Sequence, residues 1–196
     1  MEILKAEFAR GVVGGDYGTK DNLPQVAFLG RSNAGKSSVI NSLTGKKDLV
    51  KASKMPGKTV EGNFFRVNDA FYLVDFPGYG FAKRSAVERN KMVKRIFWYL
   101  ESSKPGPRVV FLIIDAKVGL TKLDWEMIQV INQNRLNIII VANKVDKLPK
   151  TKRAEQIASI IEEAHGIEIL EYSAKTHEGR DNLLETIEGF IQKAIN

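Results

Sequence analysis

The sequence contains no cysteine, and this absence removes several kinds of chemistry at once. Disulfide bonds, thiolate metal sites, catalytic thiols and prenyl or palmitoyl anchors all require a cysteine side chain. Glu2 stands where N-myristoylation requires a glycine. The two histidines, His165 and His177, lie far apart and lack the spacing of a transition-metal site, so we expect both at the surface.

Long hydrophobic runs are missing as well. The apolar stretches at 109–114 and 138–142 are far shorter than the roughly 18 residues that a membrane helix needs. Within residues 1–15, charged side chains interrupt the apolar core that a secretory signal peptide requires. These absences predict a soluble, cytoplasmic protein that has no membrane partner.

Negative charge is in short supply relative to positive charge. The 196 residues include 30 Lys or Arg against 23 Asp or Glu, which gives a net charge of +7. A chain of this length with 43% hydrophobic residues predicts one compact domain, and we expect a monomer. The charge favours a polyanionic partner, nucleic acid above all, although a basic surface that only aids solubility has the same composition.

A glycine-rich motif follows the first strong strand pattern. Residues 30–37 match GxxxxGK[ST] and come directly after the apolar run 26–29. The glycines allow a tight turn in which backbone N–H groups and the next helix's N-terminus point at phosphate oxygens. Lys36 would reach the β- and γ-phosphates of a bound triphosphate, and Ser37 would bind Mg²⁺. A glycine-rich turn that merely precedes a helix is the alternative.

Short apolar runs alternate with helical patterns, which is typical of an α/β protein. The predicted strands are 26–29, 64–67, 71–74, 109–114, 138–142 and 167–172, and the later helices are 85–103, one from about 121, 151–164 and 181–195. The second and third strands flank Asn68-Asp69, which predicts an antiparallel hairpin. We therefore expect a three-layer P-loop NTPase fold: a six-stranded, mostly parallel sheet with one antiparallel hairpin strand and helices on both faces.

The motif Asp75-Phe76-Pro77-Gly78 lies at the predicted end of the hairpin. An aspartate at this place can hold Mg²⁺ through water, and a glycine N–H can meet the γ-phosphate. An aspartate that simply caps a turn would give the same four residues. The upstream glycine-rich motif favours the functional interpretation.

The motif Asn143-Lys144-Val145-Asp146 follows the strand 138–142 and predicts which base is bound. A carboxylate at Asp146 accepts hydrogen bonds from the two adjacent donors of guanine, N1–H and the exocyclic amine, and adenine has no such pair. Asn143 would connect this loop to the glycine-rich loop, and the Lys144 stem would cover one face of the base. An exposed polar turn is the alternative.

After the last predicted strand, Ser173-Ala174-Lys175 would present backbone N–H groups to the guanine O6. In this order, the four motifs resemble those of the translation-factor-related GTPases. The closer details, residues 30–38, Pro56-Gly57-Lys58-Thr59 and Asp75 to Gly80, are similar to the EngB family of bacterial ribosome-assembly GTPases, also called YihA or YsxC.

The resemblance to the EngB family implies GTP and GDP as substrate and product, Mg²⁺ as cofactor and slow hydrolysis. It implies a role in assembly of the large ribosomal subunit and a link to cell division and septation. Loose alternation of apolar residues near the N-terminus, followed by several glycines, separately predicts an edge strand and a turn at 1–24. The resemblance assigns 25–196 to the G domain and the switch threonine to Thr59. The alternative is a non-enzymatic, GTP-responsive interaction module at the division machinery.

The implied site residues fall into three groups. The nucleotide would be bound by Gly30, Arg31, Ser32, Asn33, Ala34, Gly35, Lys36, Ser37, Ser38, Gly57, Lys58, Thr59, Val60, Glu61, Asp75, Phe76, Pro77, Gly78, Asn143, Lys144, Val145, Asp146, Ser173, Ala174 and Lys175. The metal ligands would be Ser37, Thr59 and Asp75. Catalysis would fall to Lys36, Thr59, Gly78 and Asn33.

The sequence lacks the glutamine that assists hydrolysis in signalling GTPases. In those proteins a glutamine directly after the motif that corresponds to Asp75–Gly78 orients the attacking water. Here that position is Tyr79, which has no amide. We therefore expect slow intrinsic turnover. Asn33 could contribute to hydrolysis in another way. In related GTPases an asparagine at this position helps to bind a potassium ion beside the phosphates, where the ion substitutes for an arginine finger. The alternative is that Asn33 only tolerates the backbone geometry of the loop.

Two basic segments lie next to the loops around Thr59 and Gly78, which we call the switch loops because they would respond to the γ-phosphate. One spans 46–58, and the other contains Lys83, Arg84, Arg89, Lys91, Lys94 and Arg95. Such a surface could follow the phosphates of rRNA in the large ribosomal subunit or its precursors. A solvated helix face is the alternative for any single residue. Binding that depends on the switch loops would be stronger with GTP.

Overall fold

The computed structural model describes residues 1–12, 19, 21–52, 62–80, 86–101 and 106–195, with side chains at 51–52 and 86–92 left out. The strands are β1 Ala6–Val12, β2 Gln25–Gly30, β3 Gly62–Val67, β4 Phe71–Asp75, β5 Arg108–Asp115, β6 Asn137–Asn143 and β7 Glu168–Tyr172. The helices are α1 Lys36–Thr44, α2 Leu49–Ala52, α3 Ala86–Glu101, α4 Lys122–Gln133, α5 Lys150–Glu163 and α6 Arg180–Ile195. The predicted helices are confirmed to within a few residues.

Within this described part, the strands form one sheet in the order β1-β3-β4-β2-β5-β6-β7. All neighbouring pairs from β4 through β2 to β7 are parallel, and β3 is antiparallel to both of its neighbours. The mostly parallel sheet with an antiparallel hairpin is confirmed, but the count of six strands is wrong. β1 adds a seventh, because it pairs with β3 from Ala6↔Val67 to Val12↔Gly62 and so covers an edge that would otherwise be open.

The hairpin turn between β3 and β4 has the predicted chemistry. Asn68 and Asp69 both have positive φ, 49° and 53°, which is the backbone that a tight hairpin needs and that Asn and Asp tolerate best. The Ala70 N–H donates to the Val67 carbonyl at 2.9 Å and closes the turn. Asp75 is thereby delivered at the end of β4.

The central strands bury both of their faces, as expected of parallel strands that are covered by helices. All six residues of β2 are buried, and residues 26–29 alternate between two apolar cores. Ala27 and Leu29 pack with α3, α4 and α5, whereas Val26 and Phe28 pack with α1 and α6. This alternation produces the three layers.

Because β2, β4, β5, β6 and β7 are parallel, their carboxyl ends meet at one edge of the sheet. Those ends are Gly30, Asp75, Asp115, Asn143 and Tyr172. Every described motif that the sequence singled out begins at one of these ends. The fold therefore gathers them in one place.

Candidate nucleotide-binding site

The glycine-rich loop leaves β2 and enters α1 through a tight turn. Gly35 caps the helix with φ 95°, a left-handed conformation that favours glycine. A Cβ there would lie 2.3 Å from Asn143 Nδ2, and a Cβ on Gly30 would lie 2.6 Å from the Ile113 carbonyl oxygen. Both glycines are thus required by space, and they bring the backbone close to β5 and β6.

The first helical residue, Lys36, donates a hydrogen bond from its ammonium to the Asp75 carboxylate. Both side chains are 7% exposed, so this is a buried ion pair. Ser37 and Ser38 follow in the first turn of α1 and are exposed. The structure therefore brings together the predicted phosphate-binding lysine and one predicted metal ligand, with a hydroxyl next in the chain.

The segment after Asp75 lies against the glycine-rich loop. The Ser32 N–H donates to the Tyr79 carbonyl at 2.8 Å, and the Tyr79 N–H donates to the Gly30 carbonyl at 3.3 Å. A Cβ on Gly78 would lie 3.0 Å from both Ser32 Cα and Ser32 N. Gly78 is therefore held beside the loop that would hold the phosphates.

Asn143 connects three loops, as predicted for its link to the glycine-rich loop. It is 1% exposed, and its Nδ2 donates to the Ala34 carbonyl at 3.0 Å. Its Oδ1 accepts from the Ala174 N–H at 3.2 Å. The Ala174 N–H is one of the backbone donors that were predicted to face the guanine O6, and in this structure it donates to the Asn143 side chain.

Lys144 crosses from β6 toward the glycine-rich loop. Its backbone is left-handed, with φ 68°. Its ammonium donates to the Asn33 carbonyl at 2.5 Å and to Asp115 Oδ2 at 2.8 Å. Asp115 was missed by the sequence reasoning, and the one signal for it is its place at the end of β5. It fixes the lysine whose stem was predicted to cover the base.

Asp146 lies in a short 3₁₀ turn, Val145–Lys147, whose first residue is buried. Its Oδ1 accepts from the Ser173 hydroxyl at 2.6 Å, and Ser173 is fully buried. The Ser173 oxygen in turn accepts from the Thr176 N–H at 3.1 Å. The two segments predicted to recognise guanine are thus in direct contact.

A buried carboxylate on α4 was also missed. Asp124 is fully buried and accepts hydrogen bonds from the Tyr79 hydroxyl at 2.8 Å and from Arg31 Nε at 3.0 Å. Burial first, and then the neighbouring Asp124 charge, raise the pKa of the Tyr79 phenol well above its usual value. The Tyr79 hydroxyl therefore stays protonated and acts as the donor.

Some predicted residues lie outside the part of the chain that the structure describes. They are Gly57, Lys58, Thr59, Val60 and Glu61 near the site, and Lys83 and Arg84 of the second basic segment. Of the remaining basic residues there, Lys94 is exposed and Arg95 is half-buried. Among the described residues, no helix is long and apolar enough to cross a membrane, and His, Asp and Glu side chains form no group of three suited to a metal.

Comparison with known proteins gave matches over nearly the whole chain. A family model described as "50S ribosome-binding GTPase" matches residues 25–144, and one described as "Elongation factor Tu GTP binding domain" matches residues 107–193. A "Probable GTP-binding protein EngB" from Clostridium kluyveri is 41% identical over 194 residues, which are 97% of this chain and 98% of that protein.

Solved structures show the same fold. A crystal structure of a probable GTP-binding protein engB has a TM-score of 0.65 at 24% identity and covers 86% of this chain and 99% of its own. The crystal structure of Era in complex with MgGDPNP and nucleotides 1506-1542 of 16S ribosomal RNA has a TM-score of 0.62 at 27% identity. That match covers 85% of this chain and 56% of the Era chain.

Proposed function

Because the chain belongs to the EngB family of GTP-binding P-loop GTPases, we propose that it is a monomeric, cytoplasmic switch in assembly of the large ribosomal subunit. Binding and hydrolysis of GTP come with the family. We further propose that the partner is a large-subunit particle or its rRNA. Any effect on cell division and septation would then be a consequence of the role in ribosome assembly. Residues 25–196 act as one G domain, which β1 completes at the sheet edge.

The observation that carries the nucleotide site is the contact of four motifs at one sheet edge. Asn143 joins three of them, and the Lys36–Asp75 pair joins the fourth to the glycine-rich loop. In the proposed complex, Lys36 exchanges its Asp75 partner for the β- and γ-phosphates. Backbone N–H groups of the glycine-rich loop and the start of α1 surround the phosphates. Asp146 binds the guanine edge, Lys144 covers one ring face, and the 173–175 backbone faces O6.

The donors beside the phosphate loop suit Mg²⁺, which prefers oxygen ligands in partly hydrated sites. Ser37 would bind the ion directly and Asp75 through water, and Thr59 of the undescribed switch loop is proposed as a third ligand. When bound, the ion neutralises charge on the phosphates. The Era structure, which shares the fold, is a complex with MgGDPNP, and this supports the proposal.

Slow intrinsic hydrolysis follows from the position of Tyr79. Its side chain is 2% exposed and its hydroxyl donates to Asp124, so it is not available to orient water. In this proposal the rate depends on Lys36, on the Gly78 N–H and on a stimulus from outside the chain.

Potassium is the first stimulus that we propose, with the exposed Asn33 side chain as one ligand. We expect GTP turnover to be at least about tenfold faster in potassium than in sodium, since one added electrostatic group at a transition state is worth on the order of 10²-fold. Steady-state phosphate release in matched chloride salts would measure the ratio.

Asn33→Gly separates the two interpretations of this residue. The Asn33 φ of 71° is left-handed, so glycine keeps the backbone and removes only the side chain. Loss of the potassium effect in this variant supports ion binding. If the variant matches the parent in both salts, Asn33 serves the loop geometry alone and the ion proposal fails.

The ribosomal partner is tested by cosedimentation with large-subunit particles. We expect binding with a GTP analogue, weaker binding with GDP, faster turnover in the presence of particles, and a steep loss of binding as salt rises. The family model's description and the net charge of +7 support this expectation.

A matched pair of charge variants locates the contact surface. Lys94→Gln on α3 should weaken particle binding, and Lys193→Gln in the last turn of α6 should leave it unchanged, because the two helices cover opposite faces of the sheet. Equal binding with either nucleotide, or none, would overturn the ribosomal role.

A further inference from the structure

A polar cluster beside the phosphate loop contains Arg31, Tyr79, Thr121 and Asp124. Asp124 and Tyr79 are buried, and Arg31 and Thr121 are partly exposed. Asp124 Oδ1 accepts from the Tyr79 hydroxyl at 2.8 Å. Its Oδ2 accepts from Arg31 Nε at 3.0 Å and from the Thr121 N–H and hydroxyl at 2.9 Å and 2.7 Å. One fully buried carboxylate therefore receives four hydrogen bonds from three segments of the chain.

Helix capping explains only part of this cluster. Thr121 and Asp124 form a capping box at the start of α4, which needs no partner from elsewhere. Tyr79 and Arg31 lie 45 and 93 residues from Asp124 in sequence. Each directly follows a glycine of the proposed phosphate site, Gly78 and Gly30.

The backbones of these two segments are also joined. An isolated parallel bridge pairs Arg31 with Tyr79, through the hydrogen bonds Ser32 N–H to the Tyr79 carbonyl and Tyr79 N–H to the Gly30 carbonyl. The Ser32 hydroxyl donates to the Gly78 carbonyl at 3.2 Å. Asp124 thus holds the side chains on both sides of the bridge, while the bridge sets the distance of Gly78 from the loop.

We propose that Asp124 is a positioning residue which, through Tyr79 and Arg31, holds Gly78 where its N–H can meet the γ-phosphate and so sets the preference for GTP over GDP. GDP lacks the γ-phosphate, so its affinity does not depend on this positioning. Preorganising one donor lowers the conformational cost of GTP binding alone. The inference rests on the proposed assignment of Gly78 to the γ-phosphate.

The test compares GDP with a non-hydrolysable GTP analogue by calorimetry. Tyr79→Phe removes one hydroxyl and keeps the buried ring. We expect the analogue to bind about five- to tenfold more weakly, with GDP affinity changed less than twofold, because one hydrogen bond to a charged group is lost. Asp124→Asn should show a larger selective loss, since Arg31 loses its charged partner as well.

Tyr72→Phe is the matched control. Tyr72 lies on β4 outside the cluster, and its hydroxyl donates to Asp21 Oδ2 at 3.0 Å. This variant should therefore bind both nucleotides as the parent does. Thermal unfolding of all three variants checks that they fold. An equal loss of affinity for GDP and for the analogue would mean that the cluster has a structural role only. A gain in affinity for the analogue would mean that the cluster opposes GTP binding. Either result overturns the inference.

Gly78→Ala distinguishes failure of this inference from failure of the site assignment. The added methyl would lie 3.0 Å from the Ser32 backbone, so the distance between residue 78 and the glycine-rich loop must increase by a few tenths of an ångström. If Gly78→Ala weakens analogue binding selectively and Tyr79→Phe does not, Asp124 does not position Gly78. If Gly78→Ala has no selective effect, the γ-phosphate assignment fails and the inference fails with it.

Discussion

Asp146→Asn should change the base preference of the site from guanine to xanthine. The aspartate carboxylate can accept from both N1–H and the exocyclic amine of guanine, whereas asparagine replaces one acceptor by a donor. Xanthine carries a carbonyl in place of that amine and so matches the new donor. We expect GTP affinity to fall on the order of 10³- to 10⁴-fold and xanthosine triphosphate to become the better ligand. Competition binding with GTP, xanthosine triphosphate and ATP would measure this change.

The hydrogen bond that holds the Asp146 side chain in place should survive the substitution, so the variant should report base recognition and not a displaced loop. The Ser173 hydroxyl donates to Asp146 Oδ1 at 2.6 Å, and an asparagine oxygen at the same place can still accept it. Asp181→Asn, an exposed change of the same charge in the first turn of α6, is the control and should leave all three affinities unchanged. A loss of GTP without any gain of xanthosine triphosphate would mean that Asp146 shapes the loop instead of reading the base.

The position of the site could be predicted from the sequence because it depends on local signals. Each motif directly follows a short apolar run, and parallel strands must place such ends at one edge. The Asn143 contact with the glycine-rich loop needed no more than this rule. The hairpin turn at Asn68-Asp69 was equally local, since two adjacent residues decide it.

The features that were missed depend on partners distant in sequence. An edge strand was expected within residues 1–24, but the strand count of six did not include it. Its loose alternation and the register shift between Phe8 and Arg10 gave no sign that it would pair with β3 in the same sheet. Asp124 alone has the pattern of an ordinary helix-capping residue. Only the fold shows that Tyr79, noticed in the sequence for its missing amide, donates to that carboxylate.

Lys36→Met should abolish useful nucleotide binding and also destabilise the protein. The ammonium is expected to contact two phosphates, and each charge-assisted contact is worth about 1.5–3 kcal/mol, so affinity for GTP should fall on the order of 10³-fold or more. The same change leaves the buried Asp75 carboxylate without its partner. Removing one member of a buried pair costs about 3–5 kcal/mol of unfolding free energy. Calorimetry and denaturant unfolding would measure the two effects separately.

The double variant Lys36→Met/Asp75→Asn separates those two roles. Removing both charges should restore most of the lost stability, because no uncompensated ion remains buried. Nucleotide affinity should stay low, since the phosphates still lack the ammonium and Mg²⁺ loses a carboxylate. Lys5→Met, which breaks an exposed pair with Asp69, is the control and should change neither quantity appreciably. If the double variant regained GTP affinity, the buried pair would oppose nucleotide binding, and the proposal that Lys36 binds the phosphates would be overturned.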